Sequence, residues 1–142
     1  MPDPVISISN DKWRLDLPWV CKSLKESYWG GHLSDSQIIT AIANSLCFGV
    51  YEIIPNAFKA KQIGFARVVT DHACFSSVTD VIIDEAYRGR GYGTTLMQAV
   101  VAHPSVAGTI SILASRDARA LYAKVGYSPT NFVMQRNPTR HE

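Results

Sequence analysis

The chain of 142 residues has no apolar run approaching the roughly 20 residues that cross a bilayer as a helix, so a membrane span is not expected. Its opening, Met1-Pro2-Asp3-Pro4-Val5-Ile6, has no basic stretch leading into an apolar one, so no secretory signal is expected either. An excess of one charge is also lacking: 14 Lys and Arg stand against 12 Asp and Glu, far from the basic stripe that marks nucleic-acid binding. Cysteine is limited to Cys21, Cys47 and Cys74, with no C-x-x-C pair, and an odd count is a poor disulfide framework. Each cysteine lies beside apolar residues and reads as a small buried hydrophobe. His32, His72, His103 and His141 are scattered without ligand spacing, so no metal is expected. What remains is one soluble, cytoplasmic domain, long enough to bury about two-thirds of its unfolded surface.

No internal repeat, low-complexity tract or linker interrupts the chain. Val5, Ile6 and Ile8 suggest a short strand. Asp16 fits an N-cap with Pro18 in the first turn, and Leu17, Val20, Leu24 and Tyr28 follow helical spacing until Trp29-Gly30-Gly31. Ser34 with Gln37 makes a capping box for a second helix, whose apolar stripe is Ile38, Ile42 and Leu46. The period then changes to two. Strands are expected over Phe48 to Ile54, Gln62 to Val69 and Phe75 to Ile83, with Ile63, Phe65, Arg67 and Val69 on one face and a hairpin at Asp71-His72-Ala73. A helix from Gly91 to His103, a strand from Thr109 to Leu113, a helix capped by Ser115 and ended by Gly126, and a strand from Tyr127 to Met134 complete the order. Antiparallel strands followed by β-α-β units predict a mixed sheet in an α/β (α+β) layered domain.

The most informative stretch is Asp80-Val81-Ile82-Ile83-Asp84-Glu85-Ala86-Tyr87-Arg88-Gly89-Arg90-Gly91-Tyr92-Gly93-Thr94. An apolar strand runs into a loop with three glycines at alternate positions, and the loop opens a helix. Glycine lets the backbone approach a ligand and adopt positive φ. The N–H groups of a first helical turn lack intrahelical acceptors, and together with the helix dipole they make an anion site. Arg88 and Arg90 add charge suited to a pyrophosphate. The P-loop pattern is absent, and Thr94 stands where a dinucleotide fingerprint would continue with glycine.

Arg88-Gly89-Arg90-Gly91-Tyr92-Gly93 after its strand resembles motif A of the GNAT superfamily of acyl-CoA-dependent N-acyltransferases. Ser115-Arg116-Asp117-Ala118-Arg119-Ala120-Leu121-Tyr122-Ala123-Lys124-Val125-Gly126-Tyr127 resembles the second landmark of that family, and Ile63-Gly64-Phe65-Ala66-Arg67 one of its strands. The resemblance covers roughly residues 46 to 135. It implies a splayed mixed sheet of about six to seven strands flanked by about four helices. It also implies acetyl-CoA as co-substrate, with an amine acceptor entering from the other side. The backbone of Val81, Ile82 and Ile83 would hold the pantetheine arm, and the amides of Arg88 to Thr94 (Gly89, Arg90, Gly91, Tyr92 and Gly93 between them) the pyrophosphate. Ser115 stands where many members carry an asparagine that contacts the cofactor. Tyr122 matches the tyrosine that protonates the departing thiolate, and also fits as a core aromatic beside Leu121 and Val125.

A base must remove a proton from the acceptor amine. Asp80 is the first candidate, because a carboxylate mid-strand is costly unless paired. It reads equally as a structural carboxylate bound to neighbouring backbone or to Arg67. Glu52 and His72 read as surface residues, and Ser77 occupies the place of a glutamate base found in some relatives. Tyr28-Trp29-Gly30-Gly31-His32 falls where the family builds its acceptor site, and Trp29 could line a pocket or pack under the helix corner. The resulting expectation is an N-acetyltransferase, monomeric or homodimeric, acting on a small-molecule amine or on a peptide or protein. A non-catalytic acyl-CoA-binding module is the alternative.

Overall fold

A computed structural model describes residues 3–139; Met1, Pro2 and residues 140–142, His141 among them, lie outside. Local signals set most of the element boundaries. The Asp16 carboxylate accepts from the Trp19 N–H at 3.1 Å and starts α1 (Leu17–Glu26), with Pro18 in its first turn. α1 ends earlier than its apolar spacing predicts. The Ser27 hydroxyl donates to the Leu24 carbonyl at 2.5 Å, which leaves Tyr28 and Trp29 outside the helix. Ser34 and Gln37 form the expected reciprocal capping box on α2 (Asp35–Ala43).

The sheet has five strands in chain order: β1 (Val5–Ser9), β2 (Leu46–Ile53), β3 (Lys61–Thr70), β4 (Phe75–Ile83) and β5 (Ile110–Leu113). The first four are antiparallel neighbours. β5 runs parallel to β4 after a crossover through α3 (Tyr92–Ala102) and α4 (Pro104–Ala107). α5 (Arg119–Ala123) follows β5, and Gly126 at φ +101 ends its turn as expected. The mixed α/β class is as read from the sequence. The strand expected from Tyr127 to Met134 does not form, because Pro129 lacks a ladder donor and Phe132, Val133 and Met134 are contiguous rather than alternating.

One face of the sheet carries Phe65, Ile82 and Cys47 under Val20, Cys21, Leu24, Ile38 and Ile42 of the first two helices. The other face carries Phe48, Val50, Ile63, Ala66, Val68 and Val78 under Leu96, Met97 and Val100 of α3. The expected single face of Ile63, Phe65, Arg67 and Val69 is therefore broken. Val50 and Tyr51 pair with Gly64 and Gln62, so Ile63 is an extra residue and the side-chain phase shifts there. Val69 is exposed and Val68 buried instead. Cys21 and Cys47 are buried as expected, and burial pushes the Cys47 thiol up to about 11. Cys74 is exposed, contrary to the sequence reading, because it sits in the β3–β4 turn.

In that turn one oxygen of Asp71 accepts from the N–H groups of Ala73, Cys74 and Phe75 at 2.7–3.1 Å. These bonds hold its carboxyl down at about 2. A group depressed in the folded state contributes stability above its unfolded pKa of about 4, and the contribution is lost as pH falls through the folded value. Asp71→Asn should therefore melt below the parent at neutral pH. The difference in Tm, followed by calorimetry, should shrink steadily between about pH 4 and pH 2. A difference independent of pH would refute the assignment.

Candidate active site

β4 pairs with β5 only from Phe75↔Ile110 to Val78↔Leu113. Beyond that, Thr79 to Ile83 run on with no β5 partner, and their backbone groups on that side face the gap. On the other side β4 changes register with β3. Phe65 pairs with Ile82 and Arg67 with Thr79, so β4 carries an extra residue, and Asp80 takes φ +55 within this bulge. Val81, Ile82 and Ile83, expected to hold a pantetheine arm, lie in this stretch.

The chain then turns through Glu85–Tyr87, where the Asp84 carboxylate caps the Ala86 N–H at 3.0 Å. The following loop is tied down at both sides. Arg88 Nε donates to the Ile83 carbonyl at 2.9 Å. The Tyr87 hydroxyl donates to Glu52 on β2, and Lys61 Nζ donates to that hydroxyl at 3.4 Å. The Arg90 guanidinium lies 5.6 Å from the Tyr87 ring centroid. Gly91 is the N-cap of α3 at φ +84 and supplies no side-chain cap to the first turn. A Cβ built on Gly89 or Gly91 would meet nothing within 4 Å, so both glycines keep an open face beside those N–H donors. Their positive φ and this open space fit a bound pyrophosphate. Gly93 serves a different purpose: its Cβ would lie 2.8 Å from Leu121 Cδ1, so the glycine lets α5 approach α3. Tyr92 and Thr94 are half-buried beside it.

α5 carries Tyr122, half-buried, its ring edge-on to Tyr127 at 6.4 Å between centroids. Burial, and to a lesser degree the neighbouring Tyr28 and Tyr127 hydroxyls, raise its pKa above the ordinary phenol value. The proton therefore stays on the hydroxyl throughout the neutral range. The Ser115 hydroxyl accepts from the Ala118 N–H at 3.1 Å and shapes the entry to α5. Tyr127 reaches Ser111 on β5 at 2.6 Å.

Asp80 is buried at 8% exposure and fully engaged. One oxygen accepts from Arg67 Nε at 2.8 Å, the other from Trp29 Nε1 at 2.9 Å. Arg67 also donates to the Ser45 hydroxyl at 3.1 Å. This is the geometry of the structural carboxylate rather than of a free base. Glu52 takes the Tyr87 hydroxyl, and His72 Nδ1 lies 2.7 Å from the Ser105 hydroxyl in the β3–β4 turn. Tyr28 packs edge-on to Trp29 at 4.8 Å and receives the Arg116 guanidinium 4.0 Å above its ring. The partnership of Trp29 with Asp80 escaped the sequence reading. Its signal was chemical complementarity, since an indole N–H can only donate and a mid-strand carboxylate can only accept.

A cavity of about 660 Å³, lined by Arg14, Asp16, Tyr51, Lys59 and Gln62 among others, opens at the N-terminal end of α1. None of its lining residues belongs to the loop, the bulge or α5. Among the described residues no group of three or more His, Cys, Asp or Glu could hold a metal ion.

A five-stranded mixed sheet whose parallel last strand follows a helical crossover is an acetyltransferase fold. A family model for the acetyltransferase (GNAT) domain matches residues 44–129, and the chain belongs to that family. A structure from Xanthomonas campestris pv. campestris, assigned to GNAT-family acetyltransferases, superposes with a TM-score of 0.83 at 35% identity, covering 95% of this chain and 94% of the other. A Clostridium acetobutylicum protein solved with acetyl-CoA shares the fold at a TM-score of 0.67 and 14% identity, covering 94% and 96%. GCN5-related N-acetyltransferase 2, chloroplastic, of Arabidopsis thaliana is 33% identical over 69 residues, 47% of this chain and 27% of the relative. The chain spans less than half the length of the curated relatives it matches first.

Gly91→Val should weaken acetyl-CoA binding by calorimetry at least tenfold, because its side chain enters the open face of the loop. It should also cost about 1–2 kcal/mol of stability from the left-handed φ alone. Arg88→Ala should lose at most the about 1.5–3 kcal/mol of a charged hydrogen bond. Parent-like binding by both variants would remove the loop from the site.

Proposed function

We propose that this chain transfers an acetyl group from acetyl-CoA to a primary amine, with a small molecule as the leading acceptor and a peptide or protein lysine as the wider class. The observation that carries this reading is the stretch of β4 from Thr79 to Ile83, which has no β5 partner and leads into the glycine loop that opens α3 without a side-chain cap. Acetyl-CoA supplies a thioester carbon to which the amine nitrogen bonds while the carbon–sulfur bond breaks. The loop from Arg88 to Thr94 would hold the phosphates through main-chain N–H groups, at low reorganisation cost because Tyr87 and Arg88 already fix it. The main chain of Val81 to Ile83 would align the arm. Tyr122 would give its phenolic proton to the leaving sulfur and recover one from solvent.

Asp80 serves in this reading as a holder of β4 rather than as the base, and Glu52 and His72 are engaged elsewhere. The acceptor then loses its proton to water. Rate should follow the fraction of neutral amine: kcat/KM rises about tenfold per pH unit until the acceptor's own pKa, with no added step from a carboxylate or imidazole. Exposed Cys74 and unpaired Cys21 and Cys47 suit a reducing compartment such as the cytoplasm.

Tyr122→Phe keeps the ring against Leu121 and Tyr127 and removes only the hydroxyl. It should lower kcat by about 10²-fold, with acetyl-CoA affinity unchanged. An acceptor screen that reads free CoA with a thiol reagent measures this. An unchanged kcat, with chemistry limiting, would leave Tyr122 as packing. Acetyl-CoA binding without turnover on any amine would favour the non-catalytic acyl-CoA module.

A further inference from the structure

We infer that Trp29 and Arg67 are positioning residues, locking the left-handed bulge of β4 through the Asp80 carboxylate and so fixing how the main chain of Val81 to Ile83 faces the gap. The inference rests on the reading of those residues as the strand that aligns the acyl donor. Asp80 stands at φ +55 without being glycine, at the one place where β4 gains a residue over β3 and has just lost β5. A non-glycine residue persists in that region only where its surroundings over-determine it. Here they do. Asp80 is 8% exposed, and its two oxygens are taken from two directions, by Arg67 Nε at 2.8 Å and Trp29 Nε1 at 2.9 Å. The guanidinium is itself anchored by buried Ser45 at 3.1 Å, and the indole is braced edge-on by Tyr28 at 4.8 Å. The carboxylate can satisfy both donors only while the bulge keeps its turn, so losing either donor frees the adjoining backbone of Val81 to Ile83.

Glycine separates a backbone role from any other, since it adopts φ +55 without a carboxylate, whereas alanine resists that φ and has no carboxylate either. Calorimetric titrations with acetyl-CoA, and separately with ADP, which has a pyrophosphate but no pantetheine arm, read the two halves of the site. Asp80→Ala should weaken acetyl-CoA binding about tenfold and Trp29→Phe about threefold, while ADP affinity stays at the parent value. Asp80→Gly should weaken acetyl-CoA binding less than Asp80→Ala, because glycine adopts φ +55 without strain although the carboxylate that holds both donors is lost. Amide exchange by NMR gives a reading without ligand: Trp29→Phe should speed exchange at Val81 to Ile83 about tenfold and leave Leu96 to Val100 of α3 unchanged. Asp80→Ala and Asp80→Gly both binding acetyl-CoA like the parent, or Trp29→Phe leaving exchange at Val81 to Ile83 unaltered, overturns the inference. Failure of the parent to bind acetyl-CoA would instead refute the proposed function, and the exchange measurement would still decide the role of Trp29.

Discussion

The interruption of β4 is the constraint on which the rest of this molecule depends. Up to Val78 the strand is paired on both sides; past it the β5 partner is gone, and within two residues the register with β3 shifts by one. A bulge sharpens local twist and bends the strand that carries it. β4 runs on past the end of β5 while remaining bonded to β3 through Phe65↔Ile82 and Gly64↔Ile83. The edge of β4 is left open there while the core stays covered. Both helical layers still cover their faces, with Ile82 buried under α1 and α2 and Val78 under α3.

The segment after β4 inherits its direction. The loop beyond Ile83 is fastened to strands already in place, by Arg88 to the Ile83 carbonyl and by Tyr87 to Glu52. α3 therefore starts directly after this fastened loop with no side-chain cap on its first turn, and Gly93 lets α5 close against it through Leu121. A loop ordered in this way by its own side chains loses little further freedom when it takes an anion. Across the gap Arg116 stacks on Tyr28, Tyr28 meets Trp29, and Trp29 meets Asp80. The connection that leads into α5 is thus in contact, through two aromatic rings, with the bulge itself.

Much of this was legible in the sequence because its causes are local. Asp16, the Ser34–Gln37 box, Gly126 and the glycine-spaced loop each act within a few residues of their own backbone, and β4 begins and ends where its alternation does. The illegible features depend on register between strands or on distant partners. The extra residue at Ile63 put that side chain on the face opposite Phe65, and no residue type announces it. Ser27 shortened α1 against an apolar spacing that ran on to Tyr28. In the site, the loop residues were readable as a motif. The Trp29–Asp80 bond, between residues 51 apart, was not, and it turned the leading base candidate into a bound carboxylate.

The choice of an ion pair at this place is informative because burying one is a poor way to gain stability. Desolvation offsets most of the attraction, and apolar side chains of similar volume often serve as well or better. A buried Asp80–Arg67 pair does something apolar packing cannot, which is to distinguish registers. If β4 slipped by one residue against β3, Thr79 or Val81 would face Arg67 and Trp29, and a half-buried guanidinium and an indole N–H would lose their acceptor. Apolar residues at the same positions would tolerate that slip, because Thr79 or Val81 would fill the space nearly as well. The network thus penalises the unbulged strand more than it rewards the bulged one, and the bulge is held by the cost of losing it.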